Sequence, residues 1–442
     1  MVSGKNFLFG IKQFFIPFTT VHALSLIIIL SSIVFSDCFL NGFVLDDNRY
    51  ITRIPTRFVD LISNEALPYK NPLEPFLSKS DAFNMGGQYR PLPALYFSLL
   101  YSMFTTTPFY YHVLSLIIHI TDTFLLFFLL KRFFNRTLAL FLSLVFLVHP
   151  LQVESVAWIA AADNPLFFLF GISALLLSVK DRVSLKRLIG LCCLLLLSLL
   201  TKETAVIFIF LMLLYRVIFH KSQKFFFVIG AAFTLASYAF IRFVLAGVYF
   251  GVFKAPLIGR VPFGVRLLTS PAAIFYYIKN FFYPSHLGIE QNWVVNTMDF
   301  PHFYFPLFID ILFFILLLFF GWIILRANKK EFPAYLFFLV WLVAGLIAHS
   351  QLIPLDATVA DRWMYFPIVG LLGVVGASIQ ALSFTSKKSA VFGFILGIIL
   401  ISLLSIRTII RNTNWSDELT ILSHDVHIDD ITAQEGWFGQ EK

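Results

Sequence analysis

From Phe18 onwards the chain is a succession of apolar runs broken by short polar connectors, and this pattern constrains the fold more than any single residue does. Each crossing of a bilayer takes about 20 apolar residues, so ten or eleven crossings would consume roughly half of the 442 residues and leave the remainder for loops. Only 13% of residues are charged while 59% are hydrophobic, with 55 Phe among them. Ordinary soluble domains carry about 25% charged residues, so too little polar surface remains to cover a water-facing sphere. A water-soluble globular domain is excluded, and a single all-α polytopic membrane domain is expected.

The net charge of +8 does not point to nucleic acid once position is considered. The cations gather in short connectors, at Lys131-Arg132 with Arg136, from Lys180 to Arg187, and at Lys329-Lys330. Cytoplasmic loops concentrate Lys and Arg in this way. Cys38, Cys192 and Cys193 lie in apolar runs and have the spacing of neither a disulfide framework nor a zinc site.

The first run, about 18–40, follows Lys5 and Lys12 and lacks a signal-peptide cleavage site, which predicts a retained helix with a cytoplasmic N-terminus. The polar stretch 41–90, with Asp46, Asp47, Asp60, Glu65, Glu74 and Asp81, reads as a large first extracytoplasmic loop. Residues 91–104 suggest an interfacial helix, and 108–130 returns to the cytoplasm. Further crossings are expected at about 137–148, 165–179, 185–200, 204–219 and 224–246, then 307–325, 334–353, 364–382 and 390–406, giving about eleven. Between them, 247–306 reads as a second long outer loop with an interfacial piece at 272–283. Residues 1–406 thus form the transmembrane domain and 407–442 a short extracytoplasmic tail. No internal repeat of 20–50 residues is visible.

A charge at membrane depth is a functional hypothesis by default, whereas one at a helix end is usually solvated. On this topology the conspicuous charged residues gather outside: Asp46-Asp47, then His149, Glu154 and Asp163, then Lys202-Glu203, and Asp361-Arg362. Adjacent residues share no face of a helix or strand, so one of Asp46 and Asp47 is expected to address a site while the other braces the loop. A carboxylate with an apolar wall serves as a general base because desolvation raises its pKa; the competing reading of the pair is a helix cap. Lys202-Glu203 reads either as a headgroup-level salt bridge or as a phosphate ligand with an orienting carboxylate. Arg362 is an interfacial anchor or a phosphate ligand. Glu154 is a candidate second acid or metal ligand, His149 a helix-end hydrogen-bonder, and His119 with Asp122 a pair inside the bundle. No motif fixes a metal, so a divalent ion is left open and no other cofactor is implied.

Five motifs occur in order: Asn41-Gly-Phe-Val-Leu-Asp-Asp, Gln88-Tyr-Arg-Pro-Leu, Val148-His-Pro-Leu-Gln-Val-Glu-Ser-Val-Ala-Trp, Leu200-Thr-Lys-Glu-Thr-Ala and Asp361-Arg-Trp-Met-Tyr-Phe-Pro. Together, over about residues 20–425, the chain resembles the GT-C glycosyltransferases of the transmembrane and TPR-repeat O-mannosyltransferase type and their bacterial relatives. The resemblance implies a GT-C-type helical bundle and an inverting transferase. Such an enzyme moves mannose or a similar hexose from a polyprenyl-phosphate donor to a protein or glycan hydroxyl on the extracytoplasmic side. It further implies the bacterial inner membrane or the ER, with Asp46 as the catalytic Asp, Asp47 in place of the family's Glu, and Glu154, Lys202 and Arg362 on motif positions. Arg90, Glu203, His149 and Asp163 join Lys202 and Arg362 as expected substrate-binding residues. Family members continue past a stretch like Arg411–Leu419 into TPR repeats. Too few residues follow Asp425 here for one 34-residue repeat, so a chain without the repeats is expected.

Two rival readings are a transporter or flippase of lipid-linked sugars and a noncatalytic membrane scaffold. Transporters commonly carry paired half-structures, and no matching halves are visible in the sequence.

Overall fold

The computed structural model describes residues 19–48, 51, 88–180, 182–220, 222–251, 256–382 and 387–426. Among them the chain is helical, and the sole extended pairing is an isolated bridge between Gln291 and Val359. Most of the first loop, with Asp60, Glu65, Glu74 and Asp81, lies outside the described residues, as do Lys5, Lys12 and the end of the tail.

The helices are α1 (Thr20–Val34), α2 (Pro91–Phe104), α3 (Pro108–Leu130), α4 (Arg136–Val148), α5 (Asp163–Ser178), α6 (Leu185–Thr201) and α7 (Val206–Phe219). They continue with α8 (Lys224–Ala239), α9 (Phe263–Phe282), α10 (Phe305–Ala327), α11 (Phe332–Ala348), α12 (Pro367–Leu382), α13 (Lys387–Thr413) and α14 (Glu418–Val426). Local chemistry sets many of the ends. Thr19 and His22 form a reciprocal cap on α1, each side chain accepting from the other's backbone N–H. Asn135 caps α4 by accepting from the Leu138 N–H at 3.0 Å. Proline opens α2, α3, α10 and α11, where a missing N–H is harmless.

A helix lies over each of the eleven expected crossings, but among the described residues five helices are long and apolar enough to span a bilayer, or six if a bent pair counts as one. That bent pair is α4 with 150–157, which turn by 55°. His149 is extended before Pro150, because proline disfavours the helical conformation of its predecessor and removes a donor. The break swings residues 150–163 across the end of the bundle, carrying Trp158 and Asp163 to the cleft described below and Glu154 behind it, against Arg362.

The 247–306 stretch, with its expected interfacial piece at 272–283, holds the 20-residue helix α9, which contains Pro271 and is not among the helices apolar enough to span a bilayer. The expected tail, 407–442, opens on the end of α13, which runs to Thr413, and Trp415 and Ile421 are buried against the bundle.

Aromatic side chains meet within the interior, as where Phe366 meets Phe208 at 5.1 Å and Trp341 at 5.2 Å between ring centres. Small residues permit close backbone contact between α11 and α12. A Cβ on Gly370 would stand 2.3 Å from the Leu342 backbone nitrogen, and one on Gly345 would meet Pro367 at 2.7 Å. Association in lipid relies on such backbone proximity because lipid tails are as apolar as the helices. By contrast α10 and α13 expose Phe308, Ile315, Phe319, Phe392 and Ile399, side chains suited to lipid.

Candidate active site

A narrow, mostly polar cleft opens at the end of the bundle. Its walls come from six separate regions. They are Asp46 from the loop after α1, Gln88, Arg90 and Phe97 around the start of α2, Trp158, Ala160, Ala161 and Asp163 after the α4 break, Lys202 between α6 and α7, Glu290 after α9, and Asp356 with Arg362 between α11 and α12. Four carboxylates and three cations therefore face one space.

The cations are held in two groups. On one side Asp163 accepts from Arg90 at 2.8 Å and from Lys202 at 3.3 Å, and Lys202 also donates to the Asn164 side chain at 2.6 Å. Glu203 braces this group from behind, accepting from the Tyr89 backbone at 2.7 Å, from Arg90 at 3.4 Å and from the buried Arg242 at 3.1 Å. On the other side Arg362 donates to Glu154 from its guanidinium at 2.6 Å and from its backbone at 2.7 Å. Its second terminal nitrogen pairs with Glu290, and Asp356 lies 3.9 Å away. The Trp158 ring lies 5.0 Å from the guanidinium.

Burial and charge oppose each other here. Burial pulls the Lys202 ammonium down, with Asp163 working against it. Glu290 is pushed up to about 7 by burial despite Arg362. Burial also acts to raise Asp356, but Arg362, Arg90 and Lys202 outweigh it and hold this carboxyl below its usual range. Arg362, although buried, is raised by its three carboxylate neighbours and stays charged.

Of the residues singled out in the sequence, Asp46, Arg90, Asp163, Lys202 and Arg362 share the cleft. Asp47, Glu154, Glu203 and His149 are not part of its lining. Asp47 is fully buried and accepts from the Val44 backbone at 3.1 Å and the Ala160 backbone at 2.6 Å, so it ties the first loop to the segment after the break. Burial pushes its carboxyl up to about 8. His149 stacks on Phe281 and bonds to its carbonyl at 3.0 Å. His119 and Asp122 do not meet directly; both bond to the Tyr365 hydroxyl, at 2.8 and 2.7 Å.

Glu290 and Asp356 were not singled out in the sequence. Glu290 sits in the long outer stretch 247–306 with no motif around it, and Asp356 in the short connector just before the Asp361 motif but outside it; their one signal is scarcity, since the whole chain has 25 acidic residues. Among the described residues no group of three His, Cys, Asp or Glu converges closely enough to hold a metal ion.

Over 438 residues, 92% of this chain and 58% of the relative, the sequence is 26% identical to protein O-mannosyl-transferase F38B6.6 of Caenorhabditis elegans. A 90-residue stretch, 20% of this chain and 10% of the relative, is 37% identical to protein O-mannosyl-transferase TMTC1 of Homo sapiens, and the Mus musculus protein of that name matches equally. The chain thus spans less than two thirds of the length of the worm protein. No protein-family model matches the chain, and no solved structure matches it. This integral membrane protein is therefore similar, over nearly its whole length, to a protein named as an O-mannosyl-transferase.

Proposed function

We propose that the protein is a GT-C-type glycosyltransferase that moves mannose from a polyprenyl-phosphate donor to a protein hydroxyl at the extracytoplasmic end of an eleven-crossing bundle. The observation that carries this reading is the convergence of Asp46 with Arg90, Lys202 and Arg362 in one cleft, from stretches separated by up to about three hundred residues. The names of the relatives support mannose and a protein acceptor.

A sugar on a lipid phosphate already has a leaving group that departs as an anion, so no general acid is required at that oxygen. Asp46 takes the acceptor hydroxyl's proton as that oxygen bonds to the anomeric carbon from the face opposite the phosphate. The bond from the anomeric carbon to the phosphate oxygen breaks, the configuration inverts, and the transition state has oxocarbenium character. The phosphate goes from one negative charge as a diester towards two as a monoester. Arg90 and Lys202, which share Asp163, and Arg362 stabilise that increase more than they stabilise the bound donor, which is the condition for accelerating the chemical step. Asp47, Glu154 and Glu203 act as positioning residues: the first holds the loop carrying Asp46, and the others hold the cations.

The test is transfer of labelled mannose from a mannosyl polyprenyl phosphate to a Ser/Thr peptide by the protein in lipid nanodiscs. Asp46→Asn is expected to lower turnover by about 100-fold or more, the scale of a lost general base, with unchanged thermal unfolding. Turnover equal to wild type removes Asp46 from the mechanism. Movement of the labelled lipid across vesicles without a new glycosidic bond replaces the transferase reading with a transporter.

A further inference from the structure

The segment that follows the last long helix has its own contacts with the cleft. Arg411, Trp415 and Asp425 are fully buried. The Trp415 ring stacks on Trp158 at 5.9 Å and 26°, on the ring that itself faces Arg362 at 5.0 Å. Arg411 lies 5.5 Å from the Trp415 ring and 3.7 Å from the Asp425 carboxylate. The other oxygen of Asp425 accepts from the Ile289 backbone at 2.5 Å, one residue before the Glu290 that pairs with Arg362. These contacts close a ring that begins and ends at Arg362. From the same segment the Ser416 carbonyl accepts from the Gly42 backbone at 2.9 Å, and Glu418 accepts from Asn48 at 3.4 Å, so both ends of the loop carrying Asp46 are held as well.

The Arg411–Asp425 pair is an expensive way to hold a fold. Burying two charges carries a desolvation penalty that their attraction often fails to recover, and two of the guanidinium nitrogens, Nε and Nη2, have no hydrogen-bond partner among the described residues. What the pair supplies is direction: it holds the Ile289–Glu290 backbone at one end and the Trp415 ring at the other.

We infer that residues 411–426 are a positioning element of the cleft, a clamp that sets Asp46 against Arg362 and Glu290 through the Trp415 stack and the Asp425 backbone contact. Its catalytic consequence rests on the proposed transfer reaction. A base and a cation on loops from opposite ends of the chain work together only if their separation is fixed, since small misplacements of reacting groups are costly in rate. A displacement of residues 414–426 is then felt at both catalytic loops at once.

The test uses the full chain in nanodiscs with Asp425→Asn, Trp415→Leu and the conservative Trp415→Phe. Hydrogen exchange of residues 41–48 and 286–293 reports loop order without needing any substrate. Asp425→Asn and Trp415→Leu are expected to speed exchange in both segments at least tenfold, leave α11 and α12 unchanged, and be matched to wild type within about twofold by Trp415→Phe. With mannosyl polyprenyl phosphate and a Ser/Thr peptide, the same two variants are expected to lower kcat about tenfold or more while donor KM moves less than threefold. Unchanged exchange in the two segments overturns the clamp, and so does an equal rise in α11 and α12, which makes the segment a support of the whole fold. If exchange responds as expected while wild type transfers no sugar, the clamp stands and the transferase reading falls.

Discussion

Arg362→Met separates the energetic parts of this site. The guanidinium touches three carboxylates, but they differ in access to water: the Glu154 side chain is 0% exposed, while those of Glu290 and Asp356 are 25% and 27% exposed. When the cation is removed, Glu290 and Asp356 regain solvation from the cleft, whereas Glu154 keeps the Arg362 backbone N–H as its remaining contact from that residue. Breaking a buried pair from one side costs roughly 3–5 kcal/mol, and almost all of it should fall on Glu154. The second change, Glu154→Gln, removes the stranded charge but leaves an oxygen able to accept from the same N–H. Replacing both members of a buried pair is often near neutral, so Glu154→Gln with Arg362→Met should recover most of the loss. The coupling between the two changes is expected to be about 3 kcal/mol, the upper end for residues in direct contact. Equilibrium unfolding in mixed detergent micelles, followed by tryptophan fluorescence for the wild type, both single variants and the double, measures it. An Arg362→Met protein within about 1 kcal/mol of wild type, or two effects that simply add, would refute the claim that Glu154 exists to hold this cation.

The pH dependence follows from Glu290, whose folded pKa of about 7 stands above the 4.5 expected when unfolded. Between those values the folded chain keeps a proton that the unfolded chain releases, so this contribution is complete below pH 4.5 and is lost as pH rises through about 7; Glu290→Gln should flatten the melting temperature over that window. Donor KM should rise across the same interval, because ionised Glu290 neutralises Arg362, and the dependence should vanish in Glu290→Gln. Asp47→Asn should lower stability by about 0.5–1.5 kcal/mol, the worth of a hydrogen bond to a neutral group, since burial keeps this carboxyl protonated up to about pH 8, and its thermal midpoint should fall while that of Asp46→Asn does not. Gly370→Ala places a methyl group 2.3 Å from the Leu342 nitrogen, which should cost about 1–3 kcal/mol as overpacking, whereas alanine at Gly264, with open space around it, should change the midpoint little.

Much of the fold could be read from the chain because its causes are local. Apolar runs, the Thr19 and Asn135 caps and the helix-opening prolines act within one or two turns, so helices stand over all eleven expected crossings. The extent of α9 was less legible, because Pro271 and polar positions interrupt its apolar run. At the site, motifs on separate loops singled out Asp46, Arg90, Lys202 and Arg362, and its charge at an outer helix end singled out Asp163.

What the sequence determined by itself is that this chain is a helical membrane bundle with acids and cations concentrated at loop positions, since hydrophobicity and helix signals are properties of neighbouring residues. Tertiary structure alone decided that Asp46 faces the cleft while Asp47 turns into backbone donors, that Glu154 is spent on Arg362, and that Glu290, Asp356 and Asp425 belong to the same assembly. Those outcomes depend on which way a side chain points once distant helices have packed, and on charges that meet only across hundreds of residues. No local spacing encodes them.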